Sequence, residues 1–245
     1  MPRYKLTLEY DGGGFVGWQR QADGIAVQQV LEEAVEAFAG ERRLVEGAGR
    51  TDTGVHALGQ VAHVDLENDW EPDRVRDALN FHVKPHPVVV LAAKAVDDDF
   101  HARFSATRRG YLYRILARRP PPAVRAGKVW WIPRPLDAAA MNAAARHLTG
   151  KHDFSTFRAA NCQADSPVKT LDEIGVRSDG DEILITVRAR SFLYRQVRNI
   201  AGTLKLVGEG KWTPDHVRDA LAARDRRRGG PTAPPEGLYL TDVVY

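Results

Sequence analysis

RYKLTLEY (residues 3–10) sets Tyr4, Leu6, Leu8 and Tyr10 on one face of an extended chain, because side chains alternate with a period of two. The period then changes: Val27, Val30, Leu31, Ala34, Val35 and Phe38 recur at helical spacing until Gly40 stops them. QVAHVDL (60–66) alternates again, PDRVRDALNF (72–81) predicts a second short helix, and VVVLAAKAV (88–96) predicts a buried strand. With a short strand before Gly47, this part of the chain reads β-α-β-β-α-β.

The remainder repeats the pattern. YLYRILA (111–117) is strand-like, and Asp137 caps a helix that runs through the alanines to Leu148, with Gly150 just beyond. KTLDEIGVRS and EILITVRAR flank Asp179-Gly180, a hairpin signal. LYRQVRNIAGTLKLVG (193–208) and PDHVRDALAA (214–223) predict helices, and GLYLTDVVY (237–245) a terminal strand. The expected fold is α+β. Two similar halves, 1–105 and 106–245, each a ferredoxin-like or RRM-like repeat on an antiparallel sheet, should lie side by side around a central cleft. The Pro-rich stretch from Arg119 to Pro135 is the expected linker or excursion.

A chain of 245 residues can bury one large core or two smaller ones. No run of 18 apolar residues exists, and MPRYKLTLEYDGG lacks the apolar segment of a signal peptide, so a cytoplasmic location and no membrane are expected. Cys162, the single cysteine, excludes an internal disulfide and a cysteine-based zinc site within one chain. The net charge of +3 conceals an asymmetry: residues 1–100 carry 10 Lys and Arg against 18 Asp and Glu, residues 101–245 carry 25 against 14. Arginine predominates among the cations of the second half, at Arg108, Arg109, Arg118, Arg119, Arg224 and Arg226 to Arg228. Its planar fork suits phosphate, so a polyanionic partner is indicated; a solvated helix end accounts equally for Arg226 to Arg228.

GAGRTDTGVHA (47–57) packs three glycines, two threonines and one acid around an arginine. If residues 48–53 are extended, Arg50 and Asp52 project to the same side, and the guanidinium keeps the carboxylate ionised. The glycines let a flat substrate or another backbone approach closely. An Asx-turn, in which Asp52 merely bonds the backbone near Gly54, uses the same residues. Of the other candidates, His82 and His86 straddle Pro85 and cannot hold helical metal-ligand geometry, and Asp97 to Asp99 lack the glycine and distal glutamate of a calcium loop. Trp18 suits a loop anchor better than an RNA contact; Gln19 and Arg20 suit RNA better.

YDGGGFVGWQRQ (10–21), GAGRTDTGVHALGQV (47–61), FHARFSATRRGYLYRI (100–115), FLYRQVRNIAGTL (192–204) and EGLYLTDVVY (236–245) occur in this order over nearly the whole chain. Together they resemble the TruA-type tRNA pseudouridine synthases, and GRTDTGVHA is the most specific of them. The resemblance implies isomerisation of uridine to pseudouridine in the anticodon stem-loop of tRNA, at positions 38, 39 and 40, by a homodimer that needs no cofactor and no metal. It implies a catalytic role for Asp52 and roles for Arg50 in displacing the flipped base, Tyr111 in stacking on the target uracil, Arg198 in pairing with the catalytic acid, and Leu238 in lining the uracil pocket. The Arg198 role replaces the local expectation that Arg50 is the partner of Asp52. Gly110 departs from the family pattern of two basic residues directly before the tyrosine, which shifts what Arg108 and Arg109 can reach. A tRNA-binding protein or chaperone without catalysis and an N-glycosidase acting on the same bond are the alternatives. The intact acid counts against a pure binder, for which an anion amid phosphates is a cost.

Overall fold

In the computed structural model, which describes Met1–Tyr245, the alternation of residues 3–10 is β1 (Arg3–Tyr10), with Tyr4, Leu6 and Leu8 wholly buried. The helical repeat that follows is α1 (Val27–Ala39), buried through Val27, Val30, Leu31, Ala34 and Val35 and ended by Gly40 in the left-handed conformation, φ 75°. Next come β2 (Glu46–Gly47), β3 (His56–Asp65), α2 (Pro72–His82) and β4 (Val88–Val96). Proline at the first position of α2 costs nothing, since its missing N–H has no partner within a helix. β1 lies between β4 and β3, antiparallel to both, and β2 adds to β3 through Glu46 and Gly47.

The second compact unit runs from β5 (Arg108–Ala117) through β6 (Trp130–Ile132), α3 (Ala138–Ala145), β7 (Gly150–Asp153), β8 (Val168–Asp179), β9 (Glu182–Ala189), α4 (Gln196–Gly208) and α5 (Pro214–Ala223). Its strands lie in the order β5-β9-β8-β7, all antiparallel, with β6 parallel to β5 inside the Pro-rich excursion. Asp137 caps α3 by accepting from the Ala140 N–H at 2.9 Å. α4 starts at Gln196 rather than Leu193, because Arg195 sits at φ 59° and the Gln196 side chain takes the Leu193 N–H at 2.8 Å. The fold is α+β on mostly antiparallel strands.

The two compact units are Met1–Thr107 with Tyr239–Tyr245, and Arg108–Leu238. The terminal strand β10 (Leu238–Val244) was expected in the second half, and its residues from Tyr239 onward belong to the first unit. It runs parallel to β3, with Tyr239 opposite His56 and Leu240 opposite Ala57. Thr107 N–H bonds Val244 O at 2.8 Å and the Tyr245 hydroxyl donates to Ala102 O at 2.8 Å, so the chain's end closes over Phe100 to Thr107. A strand's alternation reports its faces and not its neighbour.

α4 is buried nearly throughout its length, and its polar residues hold the segment 226–233. Asn199 donates to Phe157 O at 2.8 Å and accepts from the Thr232 hydroxyl at 2.6 Å and from Arg226 at 3.1 Å. The Arg226 fork also donates to Gly230 O at 2.9 Å, and burial lowers its pKa. Arg226 is thereby removed from the set of RNA contacts that its sequence neighbourhood suggested. Replacing it by alanine leaves a buried carbonyl unpaired. Arg226→Ala should cost about 2 kcal/mol, seen as a melting midpoint lower by roughly 6 °C for a chain of this size.

On β3, His63 is buried beneath Phe100 and His101; its Nδ1 accepts the Ala102 N–H at 3.3 Å, and the His101 Nε2 stands 3.1 Å from Glu46. Glu46, His63 and His101 are grouped as metal ligands could be, but both Nδ1 atoms accept backbone N–H groups, which keeps the proton on each Nε2. Burial, then Arg3 and His101, lower the His63 pKa. The unfolded imidazole binds its proton near pH 6.5 and the folded one only at lower pH, so stability should fall as pH drops below about 6.5. His63→Gln should flatten this slope in denaturant midpoints measured between pH 5 and 7.5.

Candidate active site

GAGRTDTGV joins β2 to β3. The expected extended run from 48 to 53 is absent: the chain bends at Ala48–Gly49 and turns at Thr53–Gly54, closed by Val55 N–H to Asp52 O at 3.1 Å. The bend has a buried cause. The Gln60 amide, fully enclosed on β3, donates to Gly49 O at 2.7 Å and accepts Gly49 N–H at 3.3 Å, acting as one extra rung beside the strand. Arg50 ends exposed and Asp52 half-buried at the head of the turn, so period-two alternation does not relate their directions.

The loop at residues 10–18 grips this turn along its backbone. Trp18 N–H donates to Thr51 O at 3.1 Å, Gly54 N–H donates to Phe15 O at 3.3 Å, and the Thr53 hydroxyl donates to Val16 O at 3.0 Å. Thr51 is buried, its hydroxyl 2.9 Å from that of Tyr10. Gly17 adopts φ 109°, and a Cβ there would lie 2.6 Å from Thr51 O, so only glycine allows the two backbones to meet. The Trp18 indole, 2 % exposed, lies flat over Gly47 where any side chain would collide with it. Trp18 is a loop anchor. Gln19 and Arg20, expected at RNA, are engaged by α1: Gln19 donates to Gln28 at 2.6 Å and Arg20 pairs with the buried Glu32 at 3.1 Å.

In the second unit, Tyr111 is half-buried on β5, its ring edge-on to Phe192 at 5.1 Å and 88°. Tyr113, two residues on, is fully buried and donates to Pro234 O at 2.7 Å; burial raises its pKa well above the ordinary phenol value. Arg198, 8 % exposed on α4, donates Nε–H to Ala233 O at 2.8 Å, and its own carbonyl accepts Ala233 N–H at 3.1 Å. The first bond orients the guanidinium at its Nε, and the second ties the two backbones together. Leu238 is buried at the start of β10. Arg109 is buried against the Arg190 carbonyl at 2.5 Å, whereas Arg108 is exposed, so the pair before Gly110 is divided between structure and solvent.

The tRNA pseudouridine synthase family matches residues 7–105 and 144–245. The chain is similar over all 245 residues to curated proteins named tRNA pseudouridine synthase A: 61 % identical to that of Paramagnetospirillum magneticum, covering 96 % of it, and 60 % and 58 % identical to those of Rhodospirillum centenum and Parvibaculum lavamentivorans, covering the whole of each.

The chain belongs to the tRNA pseudouridine synthase family.

Within this family of isomerases, the blocks 10–21 and 47–61 of this chain form one device: the first supplies the walls in which the second is set. Sequence reasoning gave Tyr10 a place on the face of a strand but no polar role, and assigned none to Thr51 or Gln60, although each stands inside a quoted motif. Their signal is a buried polar group that needs a partner, which becomes visible only when the partner's position is known. Ala233 was missed for another reason. It acts through its backbone, and the PTAPP stretch around it carries no chemical signature. Tyr10→Phe should cost about 1 kcal/mol in denaturant unfolding, the worth of one buried hydrogen bond. Gly17→Ala should cost more, because it adds backbone strain of about 1–3 kcal/mol to the collision with Thr51.

Proposed function

We propose that this chain isomerises uridine to pseudouridine in tRNA, at one or more of positions 38, 39 and 40 of the anticodon stem-loop, with Asp52 as the catalytic carboxylate. The observation that carries the reading is the setting of Asp52: it heads a turn whose neighbours on both sides are bound to residues 15–18, so its carboxylate is presented from a rigid base. The reaction breaks the N1–C1′ bond, turns the uracil and joins C5 to C1′; no atom or electron is gained or lost, so no redox partner is needed. An ionised aspartate serves this chemistry as a nucleophile towards sugar or base, or as the base that removes a sugar proton.

A uridine stacked in a stem must leave it first, at a cost of a few kcal/mol. Stacking on Tyr111 would return roughly 1–3 kcal/mol of that, and the edge-on contact with Phe192 supports the tyrosine ring as a platform. Arg50, exposed and two residues from Asp52, is proposed to fill the gap the base leaves. Arg198 is proposed as the cation that keeps the Asp52 carboxylate ionised, and Leu238 as an apolar wall for uracil. The basic excess of residues 101–245 supports attraction of the phosphate backbone. A cytoplasmic homodimer is the proposed working form; no helix here is long and apolar enough to cross a membrane.

Asp52→Asn should reduce pseudouridine formation in a tRNA transcript to background, read by carbodiimide mapping at nucleotide resolution, while tRNA affinity stays within about twofold. Full activity of that variant would remove Asp52 from the mechanism. The mass of the product RNA separates isomerisation, which leaves it unchanged, from base loss.

A further inference from the structure

Beside α5, in the second unit, an open cavity of about 310 Å³ is lined by Trp212, His216, Asp219, Ala220, Arg227 and Arg228. The Trp212 and His216 rings are 5.9 Å apart and within 30° of parallel. The imidazole is oriented from behind, since its Nδ1 faces the Thr213 N–H at 3.0 Å and the Thr213 hydroxyl at 2.9 Å. On α5, Asp219 lies three residues after His216, and its carboxylate meets Arg218 at 3.1 Å at the exposed helix surface. Of the three consecutive arginines, Arg226 turns inward to Asn199 and Gly230, and Arg227 is clamped to Asp225 at 2.8 Å; the Arg228 side chain makes no hydrogen bond. The cavity thus combines two aromatic faces, an acid and an uncommitted guanidinium.

We propose that this groove binds one unpaired nucleotide of the RNA substrate, its base against Trp212 and His216 and its phosphate on Arg228. The choice of RNA as ligand rests on the tRNA reading above. The cavity has room for a single nucleotide. Aromatic stacking alone accepts any base. Asp219 adds discrimination where it faces position 4 of a pyrimidine, because its carboxylate accepts from the amino group of cytosine there but meets the O4 acceptor of uracil, whose one ring donor, N3–H, lies at the next position along the edge. The groove therefore differs in preference from a site built to take uridine. Its arginine wall continues directly into the segment that Arg226 ties to α4, and that segment ends at Ala233, the residue that holds Arg198. A bound nucleotide would rest on the support of Arg198.

The test uses the whole protein, labelled with ¹⁵N and titrated with tetracytidylate and with tetrauridylate. The indole N–H resonance of Trp212 is identified as the one missing in Trp212→Phe. We expect tetracytidylate to move that resonance and to bind there about fivefold more tightly than tetrauridylate. Arg228→Ala should weaken both, and Asp219→Asn should abolish the difference between them. A Trp212 resonance unmoved by either oligonucleotide at millimolar concentration overturns the proposal, as does a response that is equal for both and indifferent to Arg228→Ala and Asp219→Asn. Pseudouridine mapping on the same preparation separates the two readings: modified tRNA with a silent Trp212 sinks the groove alone, and a responsive Trp212 without modified tRNA sinks the catalytic reading alone.

Discussion

The hydrogen bond from Trp18 N–H to Thr51 O, made possible by a glycine at position 17, is the contact on which the candidate site depends. A carboxylate on a free loop would sample many positions and spend conformational entropy each time it was needed in one. Here the residue before Asp52 is held at its carbonyl and its hydroxyl, and the residues after it are held at the Thr53 hydroxyl and the Gly54 N–H. The cost of ordering is met when the chain folds. The same constraint explains why one loop needs so many glycines and why the other needs a tryptophan: a flat indole covers Gly47 only because nothing projects from it.

A second constraint of similar kind operates on α4. A helix buried on most of its faces is stabilised when its polar side chains find partners; Asn199, Thr203 and Arg198 find them in the backbone or hydroxyls of 230–233, while the Gln196 amide nitrogen has none. That irregular, proline-containing segment has no ladder of its own. It is ordered by being the partner of the helix, and in return it sets the orientation of the Arg198 guanidinium. Arg226 belongs to this packing, which is why a run of three arginines that reads uniformly in sequence divides into an inward, a paired and an unpaired member.

The proposed nucleotide groove and the Asp52 turn illustrate two uses of the same physics. At Asp52 the acid proposed for catalysis is set between backbone segments that are already hydrogen-bonded to residues 15–18. At Trp212 the aromatic faces and the Arg228 fork are left uncommitted at the surface, where the entropy of a long side chain is retained until a ligand arrives. One arrangement suits turnover and the other suits binding.

By itself the sequence determined most of the elements and the family. Periods of two and of 3.6 located β1, α1, α2 and α5 almost to the residue, because burial of one face leaves a local, countable trace; the apolar run 88–96 also marked β4, but only Val88 and Val90 of it are buried. The order of five motifs carried the family, and GRTDTG carried the acid. Tertiary structure alone decided three things. It set β10 parallel to β3 in the first unit, it bent residues 48–53 where extension was expected, and it turned Arg226 towards the protein. Each of these depends on a partner distant in the chain, such as Gln60 for Gly49 or Asn199 for Arg226. No local pattern encodes which remote group will be in reach, because hydrogen bonding is satisfied by proximity in space and leaves no periodic mark on the residues that provide it.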